Sequence, residues 1–479
     1  MPMKLFEIVA QSGVAFGTSG ARGLVSAMSD DVCAAYTQSF LSAVAEDAAE
    51  IVLGHDLRPS SPAIAQACAC AIREAGKKEI FVGALPTPAV AYYASLRRAP
   101  AIVVTGSHIP FDRNGIKFYR VDGEITKADE AMMLTSEVVP SLSHQQMDLP
   151  VVLSEAADAY VERYLKVFGA DALLGTRVAV YEHSSVARDL LKNLLSAMGA
   201  TVISLGRTET FVPIDTEAVR PEDVEQARVW AHAYGFDAIV STDGDADRPL
   251  IGDENGNWLR GDVVGVLCAQ ALNADIVVTP VSSNSVAEKC ESFDKVIRTR
   301  IGSPYVIAAM EEAVRSERAG SVVAGYEANG GFLLGSDVEI GQGTLRALPT
   351  RDAALPMLTL LATAARLGLP LSELSKTLPD RFTASDRIQN FPAAVSRKLL
   401  EVLATDKTMA SHVMGPESGA VVSQDLTDGL RVTFESGEVV HLRPSGNAPE
   451  LRCYAEAGNE QKAWVLCRTC LARVEQNFK

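Results

Sequence analysis

Three aspartates alternate in the segment STDGDADRPL, residues 241–250. In an extended turn, Asp243, Asp245 and Asp247 can point to one side. Carboxylate oxygens are the ligands that Mg²⁺ and Ca²⁺ prefer, and a cation offsets the repulsion between such close charges. The segment lacks the bidentate glutamate that ends a calcium loop of the EF-hand kind. The spacing therefore predicts a magnesium site, with Arg248 able to bind a phosphate oxygen, and the alternative is a solvated acidic turn.

A serine that could carry a phosphoryl group lies in VVTGSHIPFDRNGIKFY, residues 103–119. A predicted strand leads into Gly106, which allows a tight turn that presents the Ser107 hydroxyl instead of burying it. A presented serine can be a nucleophile or a phosphoryl carrier. His108 and Lys117 follow, and a lysine whose pKa is lowered by its surroundings can donate or accept a proton. Taken alone, a serine after a glycine is more typical of an ordinary turn.

A third segment, AGYEANGGFLLGSD, has the composition of a sugar-binding loop and covers residues 324–337. Glu327 and Asn329 flank one alanine, so both could project from the same glycine-rich turn. Carboxylate and amide groups bind neighbouring sugar hydroxyls by paired hydrogen bonds. The alternative is a polar turn.

The fourth segment, HLRPSGNAPELRCYAEA at residues 441–457, favours anion binding. Arginine supplies a bidentate fork, and glycine lets backbone N–H groups approach an anion. We therefore predict a nest for a phosphomonoester, with a structural turn as the alternative. The predicted ligands are Arg443, Ser445, Gly446, Asn447 and Arg452.

Strands and helices that alternate along the chain must position these loops. Short β-branched runs alternate with Ala- and Leu-rich stretches, which is typical of parallel sheets with crossover helices. Ligands of doubly wound sheets meet the carboxyl ends of strands, and the first three loops each follow a predicted strand. The C-terminal part instead has closely spaced strand and turn units before a final helix, which favours a smaller α+β domain. The predicted strands cover 51–53, 102–104, 178–180, 238–240, 276–278 and 322–324.

Length and composition exclude some classes of protein. At 479 residues the chain is too long for one hydrophobic core, and about 150 residues per domain gives three or four domains. The net charge of −16 argues against a nucleic-acid or anionic-membrane surface. The start MPMKLFEIVAQSG lacks the pattern of a signal peptide, so a cytoplasmic location is expected. Cys467 and Cys470 are predicted to be buried residues of a terminal helix. The sequence does not indicate the oligomeric state.

In their order along the chain, which is serine, acidic, sugar and phosphate segment, the four segments resemble the α-D-phosphohexomutase family, which includes phosphomannomutases, phosphoglucomutases and amino-sugar mutases. The resemblance begins with FGTSGARG and GHDLRPSS near the N-terminus and includes the SHIP, NGIK and DGDADR sequences. It implies an α/β fold, with three related doubly wound mixed-sheet α/β domains and a C-terminal α+β domain around a central cleft. We accordingly expect domains over residues 1–152, 153–257, 258–372 and 373–479.

The resemblance also implies a role for each loop. Ser107 would be a phosphoserine, and one of its phosphate oxygens would join the three aspartates in holding one Mg²⁺. Glu327 with Asn329 would bind sugar hydroxyls, and the fourth loop would hold the phosphate that does not react. The residues expected to line the reacting centre are Arg22, His108, Lys117 and Arg248.

The activity implied is the interconversion of hexose 6-phosphates and 1-phosphates through a hexose 1,6-bisphosphate, which also serves as activator. Mannose phosphate is the expected substrate, on the resemblance of the chain as a whole. Glucose and acetylglucosamine phosphates remain open, because EANG resembles the form found in acetylglucosamine-phosphate mutases and RPSGNAP replaces the more usual RPSGTEP. Two other classes stay open: a phosphatase with an aspartyl nucleophile, and a non-catalytic sugar-phosphate-binding protein. No nucleic acid or membrane partner is expected.

Overall fold

The chain divides into two compact units in the computed structural model, which describes residues 2–17, 19–139, 148–341, 343–445 and 449–478. The first unit comprises Met1–Ala274 with Met310–Ser375, and the second comprises Asp275–Ala309 with Lys376–Lys479. The domain boundaries expected from the sequence remain predictions.

The N-terminal part of the first unit contains a mixed sheet, a separate two-stranded sheet of its first and last strands, and flanking helices. Its strands are Met3–Lys4 (β1), Ala15–Phe16 (β2), Ala21–Leu24 (β3), Glu50–His55 (β4), Lys78–Ala84 (β5), Ala101–Val104 (β6), Arg113–Arg120 (β7), Gly123–Glu124 (β8) and Glu137–Val138 (β9). Its helices are Leu5–Ser12 (α1), Asp30–Ala43 (α2), Ser61–Glu74 (α3), Thr87–Arg97 (α4) and Lys127–Thr135 (α5), with a 3₁₀ turn at Val25–Ala27.

The order of this sheet places the serine segment between two of its strands. The strands follow the order β2-β3-β7-β6-β4-β5. β4 is parallel to β5 and β6, whereas β7 is antiparallel to β6 and β3. The apolar sides of α2, α3, β4 and β6 share one hydrophobic cluster. The turn from β6 to β7 therefore leaves the carboxyl end of a buried parallel strand.

The second part repeats the pattern with fewer strands. It contains Glu155–Phe168 (α6), Arg177–Tyr181 (β10), Arg188–Ala197 (α7), Thr201–Leu205 (β11), Pro221–Tyr234 (α8), Ala238–Thr242 (β12) and Pro249–Gly252 (β13). The sheet order is β11-β10-β12-β13. β10 is parallel to β11 and β12, and β12 forms an antiparallel hairpin with β13. The acidic loop is the connection of this hairpin.

The following stretch holds the sugar loop. Its helices are Gly261–Ala271 (α9), Val286–Lys289 (α10), Ser303–Ser316 (α11), Ala354–Leu367 (α12) and Leu371–Ser375 (α13). Its strands are Ile276–Pro280 (β14), Lys295–Thr299 (β15), Val323–Tyr326 (β16), Phe332–Leu334 (β17), Val338–Ile340 (β18) and Gly343–Leu345 (β19). β14 and β15 are parallel, whereas β16 and β17 form an antiparallel hairpin around the sugar loop.

The C-terminal part is an antiparallel sheet packed against helices. It contains Phe382–Gln389 (β20), Ala393–Thr405 (α14), Lys407–Met414 (α15), Val421–Asp425 (β21), Leu430–Phe434 (β22), Val439–Pro444 (β23), Glu450–Ala457 (β24) and Glu460–Phe478 (α16). The order is β20-β24-β23-β22-β21. Cys467 and Cys470 are buried in the hydrophobic cluster of this sheet, as predicted.

Most predicted elements are confirmed within a few residues. The six predicted strands correspond to β4, β6, β10, β12, β14 and β16, and the predicted strand and turn units of the C-terminal part to β21, β22 and β23. In that C-terminal part, β20, β24, α14 and α15 were not predicted. β20 has mostly polar residues and gains its strand conformation by pairing with β24 over its whole length, which a local pattern does not reveal.

Candidate active site

The three aspartates of the acidic loop converge in the β12–β13 connection. One carboxylate oxygen from each of Asp243, Asp245 and Asp247 lies within 4.8 Å of the others, and all three residues are buried. Gly244 lets the serine loop approach, because a Cβ there would lie 2.8 Å from the Ser107 carbonyl oxygen. The predicted convergence of the acidic side chains is thus present in the structure.

These aspartates have the donor chemistry of a divalent cation site. The Oδ1 atoms of Asp245 and Asp247 are buried and accept no hydrogen bond from any residue in the described parts of the chain. Burial, with the charges of Asp245 and Asp247, raises the pKa of Asp243 well above its ordinary value. Buried carboxylate oxygens without partners are costly. The residues therefore fit Mg²⁺, and the cluster is a candidate metal site.

Ser107 lies directly against this cluster. Its backbone is in the left-handed region, with φ of 53°, and its Oγ donates to Asp243 Oδ2 at 2.6 Å. The sequence predicted a presented hydroxyl, and this is wrong for the described structure, in which Ser107 is 1% exposed. The acidic loop covers the serine turn, so the hydroxyl faces carboxylates.

His108 is held as a neutral imidazole beside the serine. Arg248 Nη1 donates to His108 Nδ1 at 2.7 Å, and Ser107 Oγ lies 3.3 Å from the same nitrogen. The Arg248 charge, followed by burial, lowers the pKa of His108 to about 2. Since Nδ1 accepts from arginine, the ring hydrogen resides on Nε2.

Lys117 does not have the lowered pKa that would make it a ready proton acceptor. Its Nζ pairs with Asp245 Oδ2 at 2.6 Å and with Asp247 Oδ2 at 2.7 Å. Burial works to lower the pKa of Lys117, but the two aspartates outweigh burial and raise this pKa above its ordinary value. In this arrangement Lys117 is a stable cation, which can donate a proton or bind an anion.

Further cations surround the acidic loop. Arg22, on β3, has a pKa lowered to about 10 by burial and by the charges of Arg248 and Arg351. Arg351 Nη2 donates to Asp247 Oδ2 at 2.7 Å. Burial alone would raise the pKa of Asp247, but Arg351, Lys117 and Arg248 outweigh it and lower this pKa. Such a cluster of cations suits the binding of phosphate groups.

The sugar loop joins the site through one of its two predicted residues. Glu327 Oε2 accepts from Arg351 Nη1 at 3.1 Å. Asn329 Oδ1 instead accepts from the backbone N–H of Gly331 at 2.9 Å, inside the turn. The structure therefore connects Glu327 to the acidic cluster, whereas the Asn329 side-chain oxygen stabilises the turn.

The described residues of the phosphate loop lie in the second unit. Arg443 Nε donates to Asp428 Oδ2 at 3.0 Å, and Arg443 pairs in register with Arg452 across β23 and β24. Ser445 donates its backbone N–H to the Glu450 carbonyl oxygen at 2.8 Å. Two further predicted ligands, Gly446 and Asn447, lie outside the described residues, so the phosphate nest remains a prediction.

Two arginines of the first unit hold the loops of the site and were not predicted from the sequence. Arg351 gave no local signal, because it lies in a short connection before α12. Arg58 belongs to the GHDLRPSS segment, which carried part of the resemblance but received no role. Its Nη atoms donate to four carbonyl oxygens of the serine segment, those of Ser107, Ile109, Pro110 and Arg113, at 2.5 to 3.0 Å.

Comparison with known proteins assigns this chain to one family. Models of the phosphoglucomutase/phosphomannomutase family match residues 13–138 (alpha/beta/alpha domain I), 158–256 (domain II), 260–382 (domain III) and 385–466 (C-terminal domain). A phosphomannomutase of Salmonella muenchen is 48% identical over 475 residues, which cover 99% of this chain and 98% of the relative. The chain belongs to this family.

A second relative supports the family, and a solved structure supports the fold. A phosphomannomutase of Sinorhizobium fredii is 44% identical to this phosphohexomutase, over 96% of this chain and 98% of the relative. The crystal structure of a phosphoglucomutase/phosphomannomutase family protein from Burkholderia thailandensis has a TM-score of 0.73 at 21% identity, covering 96% of this chain and 97% of that chain. The protein is a phosphomannomutase-like isomerase, with three α/β/α domains and a C-terminal domain that contains an antiparallel sheet.

Among the residues that the structure describes, no helix has the length and apolar character needed to cross a membrane.

Replacing Arg58 should destabilise the protein more than replacing an exposed arginine. Arg58 is 1% exposed, and its Nε lies 3.4 Å from buried Asp56. Arg58→Met would remove the charge partner of that carboxylate and the four hydrogen bonds to the serine segment, which we expect to cost about 3 to 5 kcal/mol. Arg97→Met, which breaks an exposed pair with Glu50, should cost at most about 1 kcal/mol. Chemical denaturation of both variants measures the difference, and equal losses would contradict the role of Arg58 in holding the serine segment.

His183 should make this phosphohexomutase sensitive to acid. Its Nε2 donates to the Thr242 carbonyl oxygen at 2.9 Å, and its buried Nδ1 has no hydrogen-bond partner among the described residues. Burial lowers the pKa of His183 to about 4, from about 6.5 in the unfolded chain. Between these values the unfolded state binds the extra proton, so stability is lost as the pH falls from about 6.5 towards 4.

The variant His183→Gln tests this pH dependence, because glutamine keeps an N–H donor and does not titrate. Between about pH 7 and pH 5, its thermal midpoint should fall less than that of the wild type. In this range the unfolded chain gains a proton on His183 and the folded protein does not. Parallel curves for the two proteins would show that His183 does not contribute.

Proposed function

We propose that this phosphohexomutase interconverts mannose 6-phosphate and mannose 1-phosphate, with Ser107 as phosphoryl carrier and a hexose 1,6-bisphosphate as intermediate. The observation that carries the proposal is the 2.6 Å contact between Ser107 Oγ and Asp243 Oδ2, inside a buried cluster of three aspartates. A serine hydroxyl beside candidate magnesium ligands has the surroundings that phosphoryl transfer requires.

The proposed reaction consists of two transfers that balance each other. Phosphorylated Ser107 gives its phosphoryl group to the free hydroxyl of the hexose monophosphate: the bond from phosphorus to Oγ breaks, and a bond from phosphorus to the sugar oxygen forms. The resulting bisphosphate turns over, and its other phosphoryl group returns to Oγ. The sugar hydroxyl proton released in the first step is returned to the sugar oxygen in the second.

Charge around Ser107 supports these transfers. When bound, Mg²⁺ would be held by Asp243, Asp245 and Asp247 with a phosphoserine oxygen, and it would offset charge on the transferring group. Arg248 and Arg22 supply fixed positive charge for the phosphate oxygens. The Arg248 hydrogen bond to His108 holds the imidazole in one orientation beside Oγ.

Lys117 remains the proposed group that exchanges a proton with the sugar hydroxyl. The described ion pairs with Asp245 and Asp247 favour its charged form. Lys117 can therefore accept the hydroxyl proton only after it has given up its own proton, which requires those pairs to loosen. The neutral imidazole of His108, 3.3 Å from Ser107 Oγ, is the second candidate acceptor. The two groups would be distinguished by the pH profiles of their variants.

Mannose is the proposed sugar because the two phosphomannomutase relatives are 48% and 44% identical over almost the whole chain. A phosphoglucomutase or a phosphoacetylglucosamine mutase is the alternative, and the EANG sequence of the sugar loop resembles the form found in acetylglucosamine-phosphate mutases. The test is a coupled assay of the 1-phosphates of mannose, glucose, glucosamine and acetylglucosamine, with Mg²⁺ and catalytic hexose 1,6-bisphosphate.

The mannose substrate should give the highest kcat/KM in this assay. A strong preference for acetylglucosamine 1-phosphate would overturn the choice of sugar while leaving the carrier role of Ser107 intact. Binding of all four sugar phosphates without turnover would instead favour a non-catalytic sugar-phosphate-binding protein.

A further inference from the structure

Thr350, Arg351 and Asp352 form a short buried segment before α12, and each side chain binds a different part of the first unit. Thr350 Oγ1 donates to Glu124 Oε1 in β8 at 3.1 Å. Asp352 accepts hydrogen bonds from two buried tyrosine hydroxyls of α6. The segment is therefore fixed on both sides of Arg351.

Arg351 connects two loops that the proposed function uses separately. Its Nη2 donates to Asp247 Oδ2 at 2.7 Å, and its Nη1 donates to Glu327 Oε2 at 3.1 Å. All three residues are at least nine-tenths buried. Gly331 leaves space for the arginine, since a Cβ there would lie 2.6 Å from Arg351 Cδ. Each terminal nitrogen of the guanidinium thus already binds a carboxylate.

We propose that Arg351 is a positioning residue that fixes the Asp247 and Glu327 carboxylates relative to each other and so couples cation binding to sugar binding. This inference rests on the proposed function, because it takes Asp247 as a cation ligand and Glu327 as a sugar ligand. Arginine suits the task because its planar fork carries two donors at a fixed separation, whereas lysine carries one nitrogen.

The two carboxylate oxygens of Asp247 have different partners. Oδ2 accepts from Arg351 and Lys117. Buried Oδ1 accepts no hydrogen bond from the described residues, although Arg248 Nε lies 3.6 Å from it, and Oδ1 is the oxygen that a cation would bind. Lys117 has its second partner, Asp245, inside the acidic cluster. Arg351 has its second partner, Glu327, in the sugar loop, so a shift of the sugar loop moves a group that holds a candidate metal ligand.

The variant Arg351→Lys separates positioning from charge, because it keeps the positive charge and loses the fork. Partners that orient metal ligands typically change metal affinity by 10- to 100-fold. We expect the dissociation constant for Mg²⁺ to rise about 10-fold, measured by titration calorimetry with magnesium chloride on the dephosphorylated full-length protein. The ratio of kcat/KM for mannose and glucose 1-phosphates should also move towards one.

Arg73→Lys is the matched control for this variant. Arg73 lies in α3 of the same unit and also binds a carboxylate, since its Nε donates to Glu79 Oε1 at 2.6 Å. The control should bind Mg²⁺ as the wild type does. Unchanged Mg²⁺ affinity in Arg351→Lys, or an equal loss in Arg73→Lys, would overturn the proposal.

A double-mutant cycle with Glu327→Gln tests the coupling itself. In the wild-type background, Glu327→Gln should weaken Mg²⁺ binding, although Glu327 is not one of the three aspartates. In the Arg351→Lys background the same change should have an effect at least about 3-fold smaller. Independent effects in the two backgrounds would overturn the coupling.

The cycle reads Mg²⁺ binding without turnover, so it stays informative if the proposed mutase activity fails. Absence of Mg²⁺ binding in the wild type would refute the proposed function, and the inference with it.

Discussion

Ser107→Ala should abolish mutase turnover and leave the fold intact. The hydroxyl oxygen is the proposed carrier of the phosphoryl group, so the variant has no atom on which to form the phosphoenzyme. We expect kcat to fall by roughly 10⁴-fold or more, as for the loss of other catalytic nucleophiles. The coupled assay with mannose 1-phosphate, hexose 1,6-bisphosphate and Mg²⁺ measures this loss.

Ser39→Ala is the matched control for that experiment. Ser39 is equally buried in α2, and its Oγ donates to the Met133 carbonyl oxygen at 2.7 Å. Its loss should cost about 1 kcal/mol of stability and leave kcat near the wild-type value. Near-wild-type activity in Ser107→Ala would refute the carrier assignment.

Asp243→Asn should have opposite effects on catalysis and on stability. The neutral amide weakens a candidate cation site, and we expect kcat to fall by roughly 10²- to 10³-fold, the usual cost of losing one electrostatic group of an active site. Burial and the neighbouring aspartates raise the pKa of Asp243, so its charge is unfavourable without a cation. The variant should therefore melt at a higher temperature than the wild type in EDTA.

Thermal melting with EDTA and with Mg²⁺ checks both parts of this prediction. Mg²⁺ should raise the midpoint of the wild type, because a ligand that binds the folded state stabilises it, and should hardly move that of Asp243→Asn. Asp253→Asn is the control. Asp253 is a buried aspartate directly after β13, and it accepts hydrogen bonds from two backbone N–H groups of the following turn. A wild-type response to Mg²⁺ in Asp243→Asn would contradict its place in the cation site.

The loops of the first unit could be predicted because their chemistry is local in sequence. The serine, acidic and sugar loops each follow a strand, β6, β12 and β16, whose short apolar run is readable without a structure. Each loop therefore lies at the carboxyl end of a strand, where doubly wound sheets bind ligands, although the three strands belong to three different sheets. Asp243 and Ser107 are 136 positions apart, yet each can be recognised from the residues next to it in the sequence.

Features set by distant partners could not be predicted in this way. The charge state of Lys117 depends on aspartates 128 and 130 positions away, and those partners reverse the expected direction of its pKa shift. Ser107 is buried for the same reason, because the acidic loop covers it. Arg58 and Arg351 are single arginines in ordinary connections, and only the carbonyl and carboxylate oxygens that they bind reveal their importance.

Peptide mapping of the phosphorylated enzyme tests the central claim most directly. The full-length protein is incubated with hexose 1,6-bisphosphate and Mg²⁺, and its intact mass and its peptides are then measured. We predict an added mass of a single phosphoryl group, stable to acid, on the peptide that contains Ser107. An acid-labile acyl phosphate on the peptide of the acidic loop, or no covalent phosphoryl group, would contradict the account.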